Sequence, residues 1–559
     1  MSDKLSTTGD QFIAETLKKN GVTHVFYQEL AFYFTTKILE KYGIKHILTH
    51  SEGAAGYMAD GYARASKKPG ICMSQAIGSA NLAASIHDAW LGTSPVIALT
   101  GFKCNSALQK NGYQDSDHRA HFSGVTKYNE QTLNPQQLPH LLRQCFREVT
   151  TGQPRPAHLD VIGYAGEMAE KSVMEDIAQT SDDYGQYPSV RFAGDEQLVL
   201  QAAKEIDASE KPVIVAGRGA RISDDGSELY KLATKADIPV LTTPDGKTII
   251  DETDDIWAGV VGGYGMDCAN KTASASDLVI YIGSMISDQT TLAYTAPSKN
   301  TRIIQIDIEG TELGKNYPNT LGIMGDAATV MKQLSNAVSN KKRNSWRKEV
   351  KAFVADTLKK QDEKSRIDGP IIETARLCRD LSDSLPDNAI VVADTGWSAT
   401  WGATWLRMKP SQLFMRAAGS LGWAYPASLG AKCASPDRPV ICYAGDGAFY
   451  YHLVEMETAM RYNIDTVTVI NNNSRINQCI PYVGEAYTGQ ADVYEKYKQK
   501  VTFNPGSFAD IASCFGINSI KVEKASDIKP AIQSAIDSKK PSLVEVITDK
   551  GSAPLPALE

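Results

Sequence analysis

The sequence predicts an α/β protein built from three doubly wound parallel-sheet domains. Short, wholly apolar runs that stop at glycine or another turn residue recur along the chain, as strands buried on both faces must read. Between them lie stretches with helical apolar spacing, and this alternation builds parallel sheets covered by helices. At roughly 150 residues per domain, 559 residues leave room for three or four such units.

The first block spans residues 1–185. Its strands are expected at 45–49, 70–74 and 95–99, and it closes on the polar, turn-rich stretch 180–185. The second block, 190–340, carries apolar runs at 212–216 and 277–282, each followed by glycine. Gly217-Arg218-Gly219 after the first of these is half of a dinucleotide fingerprint and reads most simply as a turn. A charged helical linker follows from Lys341 to Lys364. The third block, 365–559, opens its sheet at 389–393. It continues with 439–444, with Leu453, Met456 and Met460 at helical spacing, and with the β-branched run 466–470.

Bulk composition removes several function classes. Hydrophobic content is 42% and charged content 22%, ordinary globular values. A net charge of −7 without a basic block argues against a nucleic-acid partner. No apolar stretch approaches the ~18 residues a membrane span needs, and Met1 to Ser6 lack a signal-peptide core. The nine cysteines are scattered and form no Cys-x-x-Cys, which fits buried thiols in a cytoplasmic protein and not a zinc site.

The chemistry concentrates in Gly445-Asp446-Gly447, followed 27 positions after Asp446 by Asn473, the last of Asn471-Asn472-Asn473. Both pieces stand at strand ends of one strand–helix–strand unit, whose right-handed crossover returns them to the same sheet edge. That edge is where open α/β sheets bind ligands. A carboxylate, an amide oxygen and backbone carbonyls make a hard but incomplete oxygen cage. Mg²⁺ or Ca²⁺ suits it if a ligand phosphate supplies the remaining positions.

This spacing resembles that of the thiamine-diphosphate enzymes. The segment from His50-Ser51-Glu52 through Met58-Ala59-Asp60-Gly61-Tyr62-Ala63-Arg64 resembles their acetolactate-synthase-like, pyruvate decarboxylase/oxidase-type branch. The resemblance implies a pyrimidine-binding domain, a central domain and a diphosphate-binding domain in that order, with thiamine diphosphate and Mg²⁺ as cofactors. The metal would be held by Asp446, Asn473 and the backbone carbonyl of Arg475. Gly445, Gly447 and Ala448, together with Gly396, Trp397 and Ser398 after the 389–393 strand, would surround the diphosphate. Gly419 would accept from the 4′-amino group, and Leu421 would wedge the cofactor into its bent form. Glu52 would share a proton with the pyrimidine N1′, which favours the imino tautomer that deprotonates C2.

Around the substrate, the resemblance places Gln114 and, less directly, Lys127. Gln28 and Glu29 stand where the family carries a compact glycine turn, and they are expected to present polar contacts at the mouth. His118 and His121 are candidate proton shuttles between these elements. Gln478 and Tyr482 replace the methionine and tryptophan of acetolactate synthases, and segment 283–289 lacks their arginines. The expectation is therefore no tightly bound flavin adenine dinucleotide. The implied activity is a carboligase or decarboxylase acting on a 2-keto acid or 2-hydroxy ketone through a C2 carbanion and enamine. The alternative is a carbon–carbon hydrolase or 2-hydroxyacyl-coenzyme A lyase using the same cofactor. The expected assembly is a homodimer or homotetramer with active sites shared between chains.

Overall fold

The protein is described by a computed structural model covering residues 6–103, 110–174, 184–367, 369–504 and 506–559. Three six-stranded sheets, wholly parallel in their pairing, carry the three blocks. The first contains β1 (His24–Tyr27), β2 (Lys45–Leu48), β3 (Gly70–Ser74), β4 (Val96–Phe102), β5 (Tyr128–Gln131) and β6 (Ala157–Ile162). The second contains β7 (Pro212–Ala216), β8 (Val240–Thr242), β9 (Trp257–Val260), β10 (Leu278–Ile282), β11 (Arg302–Asp307) and β12 (Thr320–Met324). The third contains β13 (Ile390–Ala393), β14 (Leu413–Arg416), β15 (Val440–Gly445), β16 (Val467–Asn472), β17 (Asn518–Val522) and β18 (Ser542–Ile547).

The strand orders separate the domains into two kinds. The first sheet runs β2-β1-β3-β4-β6-β5 and the third β14-β13-β15-β16-β18-β17, so the outer domains share one topology. The central sheet runs β9-β8-β7-β10-β11-β12, the order of dinucleotide-binding folds. Every residue of β3, β4, β6, β7, β10 and β13 is buried, which explains why β7, β10 and β13 read as unbroken apolar runs and not as alternating ones; β6 instead buries His158 and Asp160 between its apolar residues.

Two helices of the first domain matter for the site. Helix α1 (Glu52–Ser66) starts where Ser51 accepts a hydrogen bond from the Ala54 amide, and it carries Glu52 in its first turn. Helix α2 (Gly78–Leu91) runs beside it. In the central domain Gly217 caps α3 (Arg218–Ser223), so the Gly-Arg-Gly segment is a helix start and not only a turn. The charged linker is helix α4 (Asn344–Ser365). The third domain contributes α5 (Trp397–Trp405), α6 (Ala424–Ala434) and α7 (Asp446–Phe449).

Helices α1 and α6 bring the outer domains together at unusually close range. A Cβ added to Gly430 would stand 1.9 Å from the Met58 carbonyl oxygen, and one on Gly61 would stand 2.0 Å from that of Ala427. Only glycine permits this approach, because the obstructing atoms are backbone and have no rotamer to escape into. Gly430→Val should destabilise the fold by at least the ~1–3 kcal/mol of overpacking. Urea unfolding would detect it as a lower midpoint; an unchanged midpoint would mean that the helices separate at no cost.

Candidate functional site

The carboxyl ends of β13, β15 and β16 meet at the point where the third sheet reverses its strand order, the crevice in which α/β proteins bind ligands. Strand β15 delivers Asp446 and β16 delivers the asparagines. Asp446 Oδ2 accepts from the Arg475 amide at 3.1 Å, and Asn473 Oδ1 accepts from the same amide at 3.1 Å. The carboxylate and the amide oxygen thus share one donor. Asp446 Oδ1 also accepts from the Gly447 amide at 2.8 Å. Burial pushes this carboxyl up to about 6, against the amide bonds that favour its charge.

The other two asparagines are occupied elsewhere. Asn471 Oδ1 accepts from the Thr548 hydroxyl at 2.5 Å, and Asn472 Nδ2 donates to Glu545 at 2.6 Å. Among the described residues no cluster of three or more His, Cys, Asp or Glu could hold a metal. A cation at Asp446 would therefore depend on amide, carbonyl and ligand oxygens, as the sequence pattern implies.

Gly396 precedes α5 with φ +75°, in the region glycine tolerates. The Gln478 Oε1 atom lies 2.7 Å from where a Gly396 Cβ would stand, and Ser398 Oγ lies 3.3 Å from that position on Gly445. The turn after β13, the Gly-Asp-Gly segment and the chain after β16 are therefore one surface. Across it, a Gly419 Cβ would meet nothing within 4 Å, and Leu421 is 37% exposed.

Two buried carboxylates that the sequence reading missed hold this glycine-rich segment. Asp88 of α2 accepts from the amides of Ala418, Gly419 and Ser420 at 2.9, 3.0 and 2.8 Å. Asp394 accepts from those of Gly422 and Ala424 at 3.0 and 2.8 Å, and burial pushes it up to about 7. Asp394 could have been suspected, since it opens the Asp-Thr-Gly turn. Asp88 lies within a helix and gives no local signal.

Glu52 is half-buried. Asn81 Nδ2 donates to its Oε2 at 2.7 Å, and a Cβ on Gly78 would come within 2.6 Å of its Oε1. Both lie in the first turn of α2, and their common task is to seat this carboxylate. Nearby, His452 Nδ1 donates to the Gly422 carbonyl at 3.0 Å, and its Nε2 lies 3.9 Å from where a Gly53 Cβ would stand.

The remaining expected residues are placed as follows. Gln114 has φ +59° and accepts from the Tyr164 hydroxyl. Gln28 Oε1 accepts from the Glu29 amide, and Glu29 is exposed. Tyr482 is 75% exposed. Lys127 donates to the carbonyls of Glu148, Thr151 and Gln153 at 2.9, 2.7 and 3.3 Å, which makes it a clamp on a helix end. His118 is 2% exposed, with Nδ1 3.1 Å from Asp160 Oδ1. It belongs to a buried network with Thr100, which also donates to Asp160, at 2.6 Å.

Comparison with known proteins identifies the three domains. Residues 7–121 match the thiamine pyrophosphate enzyme N-terminal TPP-binding domain, 199–334 the central domain and 394–546 the C-terminal TPP-binding domain. A probable acetolactate synthase large subunit from Methanocaldococcus jannaschii is 31% identical over 98% of this chain and 92% of its own length. The chain belongs to the thiamine pyrophosphate enzymes, in their acetolactate-synthase-like branch. The acetolactate synthase large subunit of Lactococcus lactis is 28% identical over 99% of this chain and 94% of its own. A sulfoacetaldehyde acetyltransferase from Castellaniella defragrans is 26% identical over 97% and 93%. This protein is thus a thiamine-diphosphate-dependent carbon–carbon lyase/transferase of the acetolactate-synthase-like kind. Among the described residues, no helix is long and apolar enough to cross a membrane.

Proposed function

We propose that this enzyme is a carboligase that joins the acyl unit of a 2-keto acid or 2-hydroxy ketone to a hydroxylated aldehyde or ketone. One observation carries the reading. Gln478 lies against the Gly396 turn and donates from Nε2 to the Tyr264 hydroxyl at 3.2 Å, so a polar pair from two domains stands beside the crevice. Arg416 lies over the Tyr264 ring, 5.9 Å from its centroid.

The crevice suits thiamine diphosphate by its own chemistry. Open space at Gly419, an exposed Leu421 and oxygens of Asp446 and Asn473 on a common donor are what the pyrimidine, the bend and the metal–diphosphate pair each require. When bound, the cofactor supplies a nucleophilic thiazolium carbon that takes up an acyl unit. Glu52 would share a proton with N1′ before that carbon can act, with Asn81 fixing its carboxylate. The Gly419 carbonyl accepts from the 4′-amino group, and Leu421 supports the bend. Asp446, Asn473 and the Arg475 carbonyl would hold Mg²⁺ together with diphosphate oxygens. Gly396, Trp397, Ser398, Gly445, Gly447 and Ala448 line the diphosphate, while Gln114, Gln28 and Glu29 face substrate. The functional unit we propose is a cytoplasmic homodimer or homotetramer with each site shared between two chains.

A buried polar group left unpaired costs about 1–3 kcal/mol, or roughly five- to a hundredfold at ~1.4 kcal/mol per tenfold. The bond from Gln478 Nε2 to the Tyr264 hydroxyl uses one hydrogen of the amide; a second pyruvate's methyl group would cover the polar capacity that remains without bonding it, whereas a hydroxyl would bond it. Acetolactate formation from pyruvate alone should therefore be slow, and adding glycolaldehyde should raise carboligation by a factor in that range. Efficient, saturable acetolactate production without any gain from glycolaldehyde would refute the acceptor assignment.

A further inference from the structure

A second constellation of charge lies away from the crevice, where all three domains meet. A cavity of about 180 Å³ between the end of α1, helix α3 and strand β14 is lined by Arg64, Lys67, Arg218, Arg221, Arg438 and a single acid, Asp245. Two of these groups are already answered. Arg64 donates to Asp60 at 2.6 and 2.8 Å, and Asp245 accepts from Arg416 at 2.6 Å.

The other four cations have only neutral acceptors among the described residues. Lys67 Nζ donates to the Ile222 carbonyl at 3.1 Å, and Arg218 to that of Gly92. Arg221 donates to the Thr248 hydroxyl at 2.9 Å and the Gln412 carbonyl at 3.3 Å. Arg438 donates to the carbonyls of Asn388, Ser411 and Ala389 at 2.7, 3.1 and 3.3 Å. These bonds aim the groups without neutralising them. Burial, with Arg438 nearby, pulls Arg221 down to about 10. Like charges gathered in one partly desolvated hollow raise the free energy of the fold unless an anion joins them.

We propose that this hollow is a phosphoryl-binding site, taking inorganic phosphate or the phosphate group of a small phosphorylated metabolite. A planar carboxylate is satisfied by one guanidinium fork, whereas donors converging from three domains match a tetrahedral dianion with several oxygens. Lys67 comes from the first domain, Arg218 and Arg221 from the central one and Arg438 from the third. A bound phosphoryl group would tie the three together next to β14, which leads directly into the 417–421 segment carrying Gly419 and Leu421.

The test uses the enzyme saturated with thiamine diphosphate and Mg²⁺, so that the diphosphate crevice is filled, in chloride-free buffer at constant ionic strength. Calorimetric titration with inorganic phosphate and, separately, with glycerol 3-phosphate should each show one saturable site per chain. The tighter of the two assigns the source as free ion or phosphate monoester. Arg221→Gln and Arg438→Gln should each weaken binding at least tenfold. Both residues line this cavity and not the neighbouring one of about 280 Å³ in the central domain. Lys67→Gln should also weaken binding; its side chain is exposed and bonds only one carbonyl, so it keeps the test open if an arginine variant does not fold. Absence of saturable binding by both anions, or equal affinity in the wild type and every folded variant, would overturn the proposal.

Discussion

Asp446→Ala should abolish turnover by releasing the cofactor. Asp446 meets Asn473 at a shared donor, the Arg475 amide. A divalent ion at this place would couple protein oxygens to diphosphate oxygens, so removing the carboxylate should weaken ion and cofactor together. The loss should appear first as binding. Titration of the apoenzyme with thiamine diphosphate and Mg²⁺ should show no saturation in Asp446→Ala at concentrations that fill the wild type. Asn473→Ala should behave alike, whereas Asn472→Ala should act mainly on stability, because Asn472 is bonded to buried Glu545. Wild-type cofactor affinity in Asp446→Ala would remove this carboxylate from the metal site.

Glu52→Gln should separate chemistry from binding. The metal and diphosphate contacts lie in the third domain and remain, so cofactor affinity should change little. Glutamine cannot take part in the proton sharing at N1′, and loss of such assistance is worth about 10²–10⁴-fold in rate. Hydrogen–deuterium exchange at the thiazolium C2 in the bound state should slow by that factor. Exchange at the wild-type rate would exclude Glu52 from this role. Mixing Glu52→Gln chains with Asp446→Ala chains tests the shared site, since only exchanged dimers rebuild one crevice with both residues intact. No recovery after demonstrated subunit exchange would place both residues of each site in a single chain.

Much of this architecture was legible because it is local. Strands 70–74, 212–216 and 389–393 announced themselves as unbroken apolar runs, and both faces of each are indeed buried. In space Ser51 caps the helix that Glu52 opens. The meeting of Asp446 and Asn473 was legible for the same reason: one strand–helix–strand unit fixes where its two strand ends emerge.

What resisted prediction involves partners far apart in the chain. Asp88 reaches across 330 positions to the Ala418 amide, and no spacing rule marks a helical aspartate for that task. Lys127 and His118 lie in segments that resemble substrate loops, yet the lysine is taken up by three backbone carbonyls and the histidine by Asp160. Desolvation explains both outcomes, since a buried polar group takes the nearest strong partner, and that partner depends on packing.

By itself, then, the sequence determined the fold class and brought Asp446 to the same sheet edge as a following asparagine, both consequences of short-range periodicity and one crossover, while the order of the three domains came from its resemblance to a family. Tertiary structure alone decided that Thr548 and Glu545 take up Asn471 and Asn472, which leaves Asn473 beside Asp446. It also decided that Asn81 and Gly78 seat Glu52, that Gln478 meets Tyr264 and that unpaired cations from three domains gather in one hollow. Each of these depends on which side chains share a low-dielectric space once the sheets have packed, a property of the folded chain that no stretch of residues contains.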